Sequence, residues 1–138
     1  MITDETARTV FGEVEILSAQ DRADGLPPRI TARVFIGAEE PAFEGHYPGF
    51  PILPGVCLIE CAHRTAMAAL PPAPAAGPAR LAAVEAARFL DPVFPGESVT
   101  VELEWEPAGD SWRCRTAIST DRGPSARIRL AYAWGEAP

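Results

Sequence analysis

One histidine and one glutamate lie close together in the sequence, on either side of a loop rich in proline and glycine. His46 and Glu60 are fourteen residues apart, and Pro48, Pro51 and Pro54 lie between them. Proline fixes φ and restricts the residue before it to extended conformations, so this loop is stiff. An imidazole and a carboxyl group positioned by such a loop could transfer protons as general base and general acid.

The chain after Pro54 has the apolar spacing of a helix. Its apolar residues recur every three or four positions, at Val56, Ile59, Ala62, Ala66, Met67 and Leu70. This pattern predicts a helix over residues 56–70 with that face buried. Backbone N–H groups at a helix start have no intrahelical partner, and the helix dipole favours negative charge there. The amide near Gly55 could therefore stabilise an oxygen that becomes an enolate, with Glu60 about one turn further on.

Two segments resemble motifs of the hotdog-fold 3-hydroxyacyl-[acyl-carrier-protein] dehydratases (FabZ- and FabA-like). Residues 43–60 match Phe-x-Gly-His-Phe-Pro, then Pro-x-x-Pro-Gly-Val, then a glutamate on the following helix. Residues 88–97 are similar to Arg-Phe-x-x-Pro-Val-x-Pro-Gly-Asp. Two motifs in the same order are a more specific signal than either alone, and the resemblance covers about residues 8 to 134.

The resemblance implies a lyase whose site uses residues from two subunits of a dimer. His46 would remove the α-proton of a (3R)-3-hydroxyacyl thioester, and Glu60 of the other subunit would protonate the departing hydroxyl, giving the trans-2-enoyl thioester. The substrate would be carried on the phosphopantetheine arm of an acyl carrier protein, in fatty acid or polyketide biosynthesis. No metal and no redox cofactor are expected. A glutamate at position 60, not an aspartate, looks more like the branch that dehydrates without isomerising.

Other residues of the two motifs are candidates for contact with the acyl thioester or its enolate: Tyr47, Phe50, Pro54, Gly55, Val56 and Phe89. Tyr47 replaces the commoner Phe and would add a hydroxyl at the pocket mouth. Phe50 and Phe89 could line an acyl tunnel, although core packing is the simpler interpretation.

Arg64 departs from the family pattern, because many relatives have Gln four residues after the glutamate. Residues four apart on a helix are neighbours, so the Arg64 guanidinium could pair with Glu60, favour its ionised form and hinder proton donation. Two alternatives therefore stay open. The chain could be a non-catalytic or half-catalytic subunit of a heterodimeric dehydratase. It could also be a hotdog acyl thioesterase or enoyl hydratase; in a thioesterase a carboxylate would activate water.

The rest of the chain predicts strands before and after the helix. They are expected near residues 10–17, 30–36, 80–90, 97–106, 111–119 and 125–134. The predicted fold class is α+β, a single hotdog domain over residues 1–138 in which an antiparallel sheet wraps around one long central helix. The proline-rich residues 71–78 cannot continue the helix and are expected to form an exposed connector.

The charge balance limits the partners. The 138 residues have a formal net charge of −7, and all 12 basic residues are arginine. Nucleic acid is therefore excluded as the expected partner, since phosphate binding needs a basic stripe. Arg113, Arg115, Arg127 and Arg129 alternate along two predicted strands. They could together face the phosphopantetheine phosphate or an acidic carrier helix, although a solvated outer face is the simpler interpretation.

The remaining expectations concern location and assembly. The sequence has neither the features of a signal peptide nor an apolar run of about 20 residues, so a cytoplasmic protein that does not span a membrane is expected. An odd number of cysteines, Cys57, Cys61 and Cys114, favours free thiols over a disulfide framework. A metal site of Cys57, Cys61 and His63 would be strained, because His63 projects about 160° away from Cys61. A homodimer or a trimer of dimers is expected, and a heterodimer is an alternative.

Overall fold

The computed structural model describes residues 10, 12–43, 49, 51–73 and 76–135. These residues form one α-helix and six strands, with a short 3₁₀ turn at Pro41–Phe43. The elements are β1 (Val14–Gln20), β2 (Arg29–Phe35), α1 (Gly55–Ala68), β3 (Ala79–Phe89), β4 (Ser98–Ala108), β5 (Ser111–Thr120) and β6 (Gly123–Trp134). In the described part of the chain, no helix is both long enough and apolar enough to cross a membrane.

The strands form one sheet in the order β1-β2-β4-β5-β6-β3, and every neighbouring pair is antiparallel. The helix follows β2 in the chain and contacts β1, β3, β4, β5 and β6. It therefore lies across one face of the sheet. The predicted α+β architecture, an antiparallel sheet around one long helix, is confirmed.

Alternate side chains of β4 and β6 form the core under the helix. Period-two alternation predicts that one set of side chains points inward, and all of this set are buried except Trp134, which is only partly buried: Val99, Val101, Leu103, Trp105, Ile128, Leu130, Tyr132 and Trp134. The indole N–H of Trp105 donates to the carbonyl oxygen of Ala69 at 2.8 Å. This bond attaches the end of the helix to the centre of the sheet.

The predicted buried face of the helix is wrong in part. The buried residues of α1 are Cys57, Leu58, Cys61, Ala62, Thr65 and Ala66. Of the predicted face, Val56 is 61%, Met67 39% and Leu70 42% exposed, and Leu70 lies beyond the helix, which ends at Ala68. Small side chains allow the helix to lie close to a densely packed sheet, which favours cysteine and alanine over the larger apolar residues. All three cysteines are free and buried, and burial raises the pKa of the Cys61 thiol to about 12.

The first strand begins later than predicted, at Val14 instead of residue 10. The backbone groups of Val10 and Gly12 bind side chains of α1 and of Glu40. They contribute no pair to the β1–β2 ladder, whose first pair is Val14 with Val34.

Strand β3 forms one edge of the sheet. It pairs with β6, and the register shifts twice, between Leu81 and Ala83 and between Val84 and Ala86. Residues 82–89 of this strand are exposed although most of them are apolar. An exposed edge strand presents backbone N–H and C=O groups that can pair with another strand.

Candidate active site

Helix α1 starts at Gly55, the residue whose amide is predicted to stabilise an oxyanion. Pro54 precedes the helix in an extended conformation, with φ −60° and ψ 146°, and no side chain caps the helix. The first bond at this end runs from the Cys57 N–H to the Pro54 carbonyl oxygen, at 2.9 Å. Amides at such a position can donate to an oxygen that gains negative charge, and the helix dipole adds to the attraction.

The ring of Phe89, at the end of β3, lies directly against Gly55. A Cβ atom at position 55 would lie 2.7 Å from Cζ and 2.9 Å from Cε2 of Phe89. Carbon atoms do not approach this closely, so the absence of a side chain at Gly55 permits the contact. Phe89 is 50% exposed and Val56 61% exposed. The structure therefore brings Gly55, Val56 and Phe89 together as an apolar surface beside the start of the helix.

The second motif contacts the first through a backbone hydrogen bond, and ion pairs attach it to Arg122 between β5 and β6. The N–H of Leu53 donates to the carbonyl oxygen of Val93 at 2.8 Å. Arg122, which the sequence analysis did not select, forms ion pairs with Asp91 and with Glu97. It also lies over the Phe94 ring, 4.9 Å from the ring centre. The Arg122 guanidinium holds the pKa of the Glu97 carboxyl below its usual range, and its ion pairs link the two ends of the segment from Asp91 to Glu97.

Glu60 and Arg64 form the pair that their spacing predicts. Nη1 of Arg64 lies 3.7 Å from Oε2 of Glu60. The Arg64 side chain is 15% exposed and the Glu60 side chain is 18% exposed. The backbone N–H of Val10 donates to the same carboxylate oxygen at 3.0 Å. A cation and an N–H donor both stabilise the charged form of a carboxyl group.

Charged side chains also bind the N-terminal segment, by which we mean Val10 and Gly12. Nη1 of Arg64 donates to the Val10 carbonyl at 3.0 Å, and Nη2 donates to the Gly12 carbonyl at 2.7 Å. The N–H of Gly12 donates to Oε2 of Glu40 at 2.9 Å, and Glu40 is only 4% exposed. The sequence analysis missed these contacts because the partners are 28 to 54 residues apart and no local pattern marks them.

His63 lies beside the sheet and not with the cysteines. Its Nδ1 is 2.6 Å from the hydroxyl of Tyr132, and the two rings are stacked. Burial lowers the pKa of His63 below 6.5, and the charge of Glu60 partly opposes this effect. Among the described residues, no group of three or more His, Cys, Asp and Glu side chains is placed to hold a metal ion.

His46, Tyr47 and Phe50 lie outside the described residues, so their predicted roles stay predictions. Two cavities lie away from Glu60. One, of about 430 Å³, is on the outer face of the sheet and is lined by arginines of β2, β3, β5 and β6 and by Glu102 and Glu104 of β4. The other, of about 420 Å³, lies near the C-terminal end of the helix, between Leu70 and Trp112.

Solved structures with similar architecture define the class of protein. The dehydratase heterocomplex ApeI:P from Xenorhabdus doucetiae superposes with a TM-score of 0.64 at 17% identity, over 88% of this chain and 98% of that chain. A hypothetical thioesterase from Streptococcus pneumoniae, in an Asp52Ala mutant form, superposes with a TM-score of 0.67 at 12% identity, over 95% and 98% of the two chains. At these identities the likeness shows the fold alone, which is the hotdog fold.

Sequence comparisons then give the family. The chain belongs to the ApeI-like family, described as ApeI dehydratase, whose pattern matches residues 20–127. It is 40% identical over 92 residues to the 3-hydroxyacyl-[acyl-carrier-protein] dehydratase FabZ of Thermus thermophilus, covering 64% of this chain and 61% of that protein. It is 33% identical over 101 residues to the FabZ of Pelotomaculum thermopropionicum, covering 71% and 72% of the two proteins. The match thus spans about three fifths of the first relative's length.

Proposed function

We propose that this protein is a lyase that dehydrates a (3R)-3-hydroxyacyl thioester, carried by an acyl carrier protein, to the trans-2-enoyl thioester. The observation that carries the proposal is the position of Glu60, one turn beyond the uncapped start of a helix whose Gly55 is covered by Phe89. Membership of a dehydratase family and the similarity to FabZ proteins support the same reaction.

The reaction needs three groups that act on different atoms of the substrate. His46 takes the proton from Cα, and the electron pair of that bond forms the double bond to Cβ. The thioester oxygen gains negative charge meanwhile, and the amide at Gly55 stabilises it. Glu60 gives a proton to the hydroxyl on Cβ, which leaves as water because hydroxide is a poor leaving group. Phe89 and Val56 would contact the acyl chain.

The exposed edge of β3 is the surface on which a second copy would pair. Residues 82–89 are exposed and largely apolar, and Val84 is 44% exposed. Pairing of two β3 edges would join the sheets and place the start of each helix near the interface.

Val84→Lys should therefore convert a dimer into monomers and abolish turnover, whereas Ile16→Lys at the opposite edge should leave the dimer intact. Light scattering after gel filtration measures both; an unchanged dimer in Val84→Lys would disprove this interface.

The outer face of the sheet offers a surface for an acidic carrier protein. Arg88 lies directly opposite Arg127, and Arg115 directly opposite Arg129. Arginines directly opposite each other repel, and a bound anion relieves that repulsion. Arg115 and Arg129 have carboxylates within 4 Å; among the described residues, no ion pair is found for Arg88 or Arg127.

Two substrates distinguish carrier binding from catalysis at this surface. Arg88→Ala combined with Arg127→Ala should raise KM for the carrier-linked substrate several-fold and leave kcat/KM for a pantetheine-linked substrate unchanged. Arg113→Ala, which removes an arginine already paired with Glu85, is the matched control. Equal loss with both substrates would place these arginines outside carrier binding.

The decisive experiment is turnover of 3-hydroxyacyl-carrier-protein thioesters of several chain lengths, with enoyl formation followed by mass spectrometry. His46→Ala and Glu60→Gln should each lower the rate about a hundredfold or more. Glu104→Gln, on the outer sheet face, is a control that should not. Release of free acid would instead indicate a thioesterase.

A second candidate is the subunit of a heterodimeric dehydratase. The structural similarity to one chain of the ApeI:P heterocomplex and the Arg64–Glu60 ion pair both favour it. The protein expressed alone would then be well folded but inactive at every acyl chain length, and a partner chain would restore turnover. This result would show that the active form is a heterodimer and not a homodimer.

A further inference from the structure

We infer that Arg64 is a positioning residue, which ties the N-terminal segment to Glu60 and sets the charge of its carboxyl group. The inference deepens the proposed function, since it concerns the residue proposed as proton donor. It rests on contacts that involve three parts of the chain: α1, the N-terminal segment and Glu40.

The backbone groups of Val10 and Gly12 bind charged side chains, while the Val10 side chain is buried in the hydrophobic core. Val10 donates to Glu60 and accepts from Arg64, while Gly12 donates to Glu40 and accepts from Arg64. Gly12 is also pressed against β2, because a Cβ there would lie 2.2 Å from the carbonyl oxygen of Phe35. The segment therefore cannot move outward or inward without breaking these contacts.

The two ends of the guanidinium bind different carbonyl groups, and this fixes its orientation. Nη1 is 3.0 Å from the Val10 oxygen and Nη2 is 2.7 Å from the Gly12 oxygen. A planar guanidinium with both ends engaged cannot rotate away from Glu60 unless the segment is released. Arg64 thus remains 3.7 Å from Oε2 of Glu60, and the Val10 N–H remains on the same oxygen.

The other titratable groups around Glu60 contribute less positive charge. Cys61 and His63 are its neighbours on α1; burial raises the pKa of Cys61 to about 12 and lowers that of His63, so both are neutral at pH 7. Glu40, bound to the Gly12 N–H, supplies no positive charge. Among these described neighbours, Arg64 is the cation that stabilises the Glu60 carboxylate.

The test is a carbon-13 NMR titration of the Glu60 carboxyl carbon, assigned by its loss in Glu60→Gln. Arg64→Gln removes the cation and should raise the titration midpoint by about one pH unit or more. Glu40→Gln is the matched control, because it replaces the charged acceptor of the Gly12 N–H with a neutral amide oxygen, which weakens that bond and leaves the guanidinium; the midpoint of Glu60 should fall or stay. Both variants should be cut faster by a protease near residue 10.

A second variant separates charge from hydrogen bonding. Arg64→Lys keeps the positive charge but cannot donate to the Val10 and Gly12 carbonyls from two fixed nitrogens. The titration midpoint of Glu60 should therefore stay near that of wild type, while protease cleavage near residue 10 increases. An unchanged midpoint in Arg64→Gln, or the same rise in Glu40→Gln, would overturn the inference. If Arg64→Gln does not fold, a raised midpoint in Arg64→Lys would overturn it equally.

Activity measurements test, separately from the titration, whether Glu60 is the proton donor of the dehydration. A proton donor works only while protonated, so the alkaline limb of the kcat profile should move to higher pH in Arg64→Gln, in parallel with the NMR midpoint. A shifted midpoint in a protein with no dehydratase activity would leave the inference intact and overturn the proposed function.

Discussion

The two faces of α1 serve different purposes. The face toward the sheet has small, buried residues, with Cys61, Ala62 and Ala66 at 0% exposure. The opposite face includes Val56, 61% exposed, and the partly exposed Glu60. Substitutions on the first face should therefore change stability, and substitutions on the second should change activity or assembly.

The largest expected effect on stability comes from the buried face. Leu58 is 3% exposed, and Leu58→Ala should lower the free energy of unfolding by about 2–5 kcal/mol, since it removes buried methyl groups and leaves a cavity. Val56→Ala, two positions away, should change it by less than about 0.5 kcal/mol. Denaturant unfolding at one fixed protein concentration measures both. Equal losses would contradict the assignment of the two faces.

A smaller effect is expected at the start of the helix, where the two faces meet. Gly55→Ala would bring a Cβ to within 2.7 Å of the Phe89 ring and should cost about 1–3 kcal/mol by overpacking. Phe89→Ala should relieve the clash, so the double variant should be more stable than the sum of the single effects implies. If the two changes in unfolding free energy simply add, the Phe89 ring moves aside without cost when a Cβ is introduced at position 55.

The smallest effect is a pH dependence that arises from His63. Its pKa is lower in the folded protein than the unfolded value near 6.5, mainly through burial. The unfolded chain therefore binds the proton more readily, and stability present above about pH 6.5 should fall as the pH drops toward the folded pKa. His63→Gln should reduce the slope of unfolding free energy between about pH 7 and 5. An unchanged slope would assign the pH dependence to other groups.

The sequence predicted the strands and the general architecture well, because period-two burial is a local property. The predicted inward residues of β4 are all buried, and so are those of β6 except Trp134, which is partly buried. The pairing of Arg64 with Glu60 was equally accessible, since residues four apart on a helix are neighbours.

Contacts between distant parts of the chain were not predictable in the same way. Hydrophobic spacing selected Val56 and Met67 for the core, yet both are exposed, whereas Leu58 and Thr65, outside the predicted face, are buried. The Glu40 carboxylate accepts a hydrogen bond from the Gly12 N–H. This contact depends on how β2 and α1 are arranged in space. Neither Glu40 nor Gly12 carries a local sequence signal, so the hydrogen bonds that hold the N-terminal segment beside Glu60 could not be predicted.

The irregular pairing of β3 has a consequence for solubility. An apolar exposed edge is a hazard, because flat edges of this kind stack into fibrils with any similar strand. The two register shifts in the β3–β6 pairing bend and twist the edge, so a flat strand fits it poorly. A strand with the same two irregularities, as a copy of this chain supplies, can match it. If two copies pair at this edge as proposed, the matching irregularities of the two strands would favour ordered pairing over open-ended aggregation.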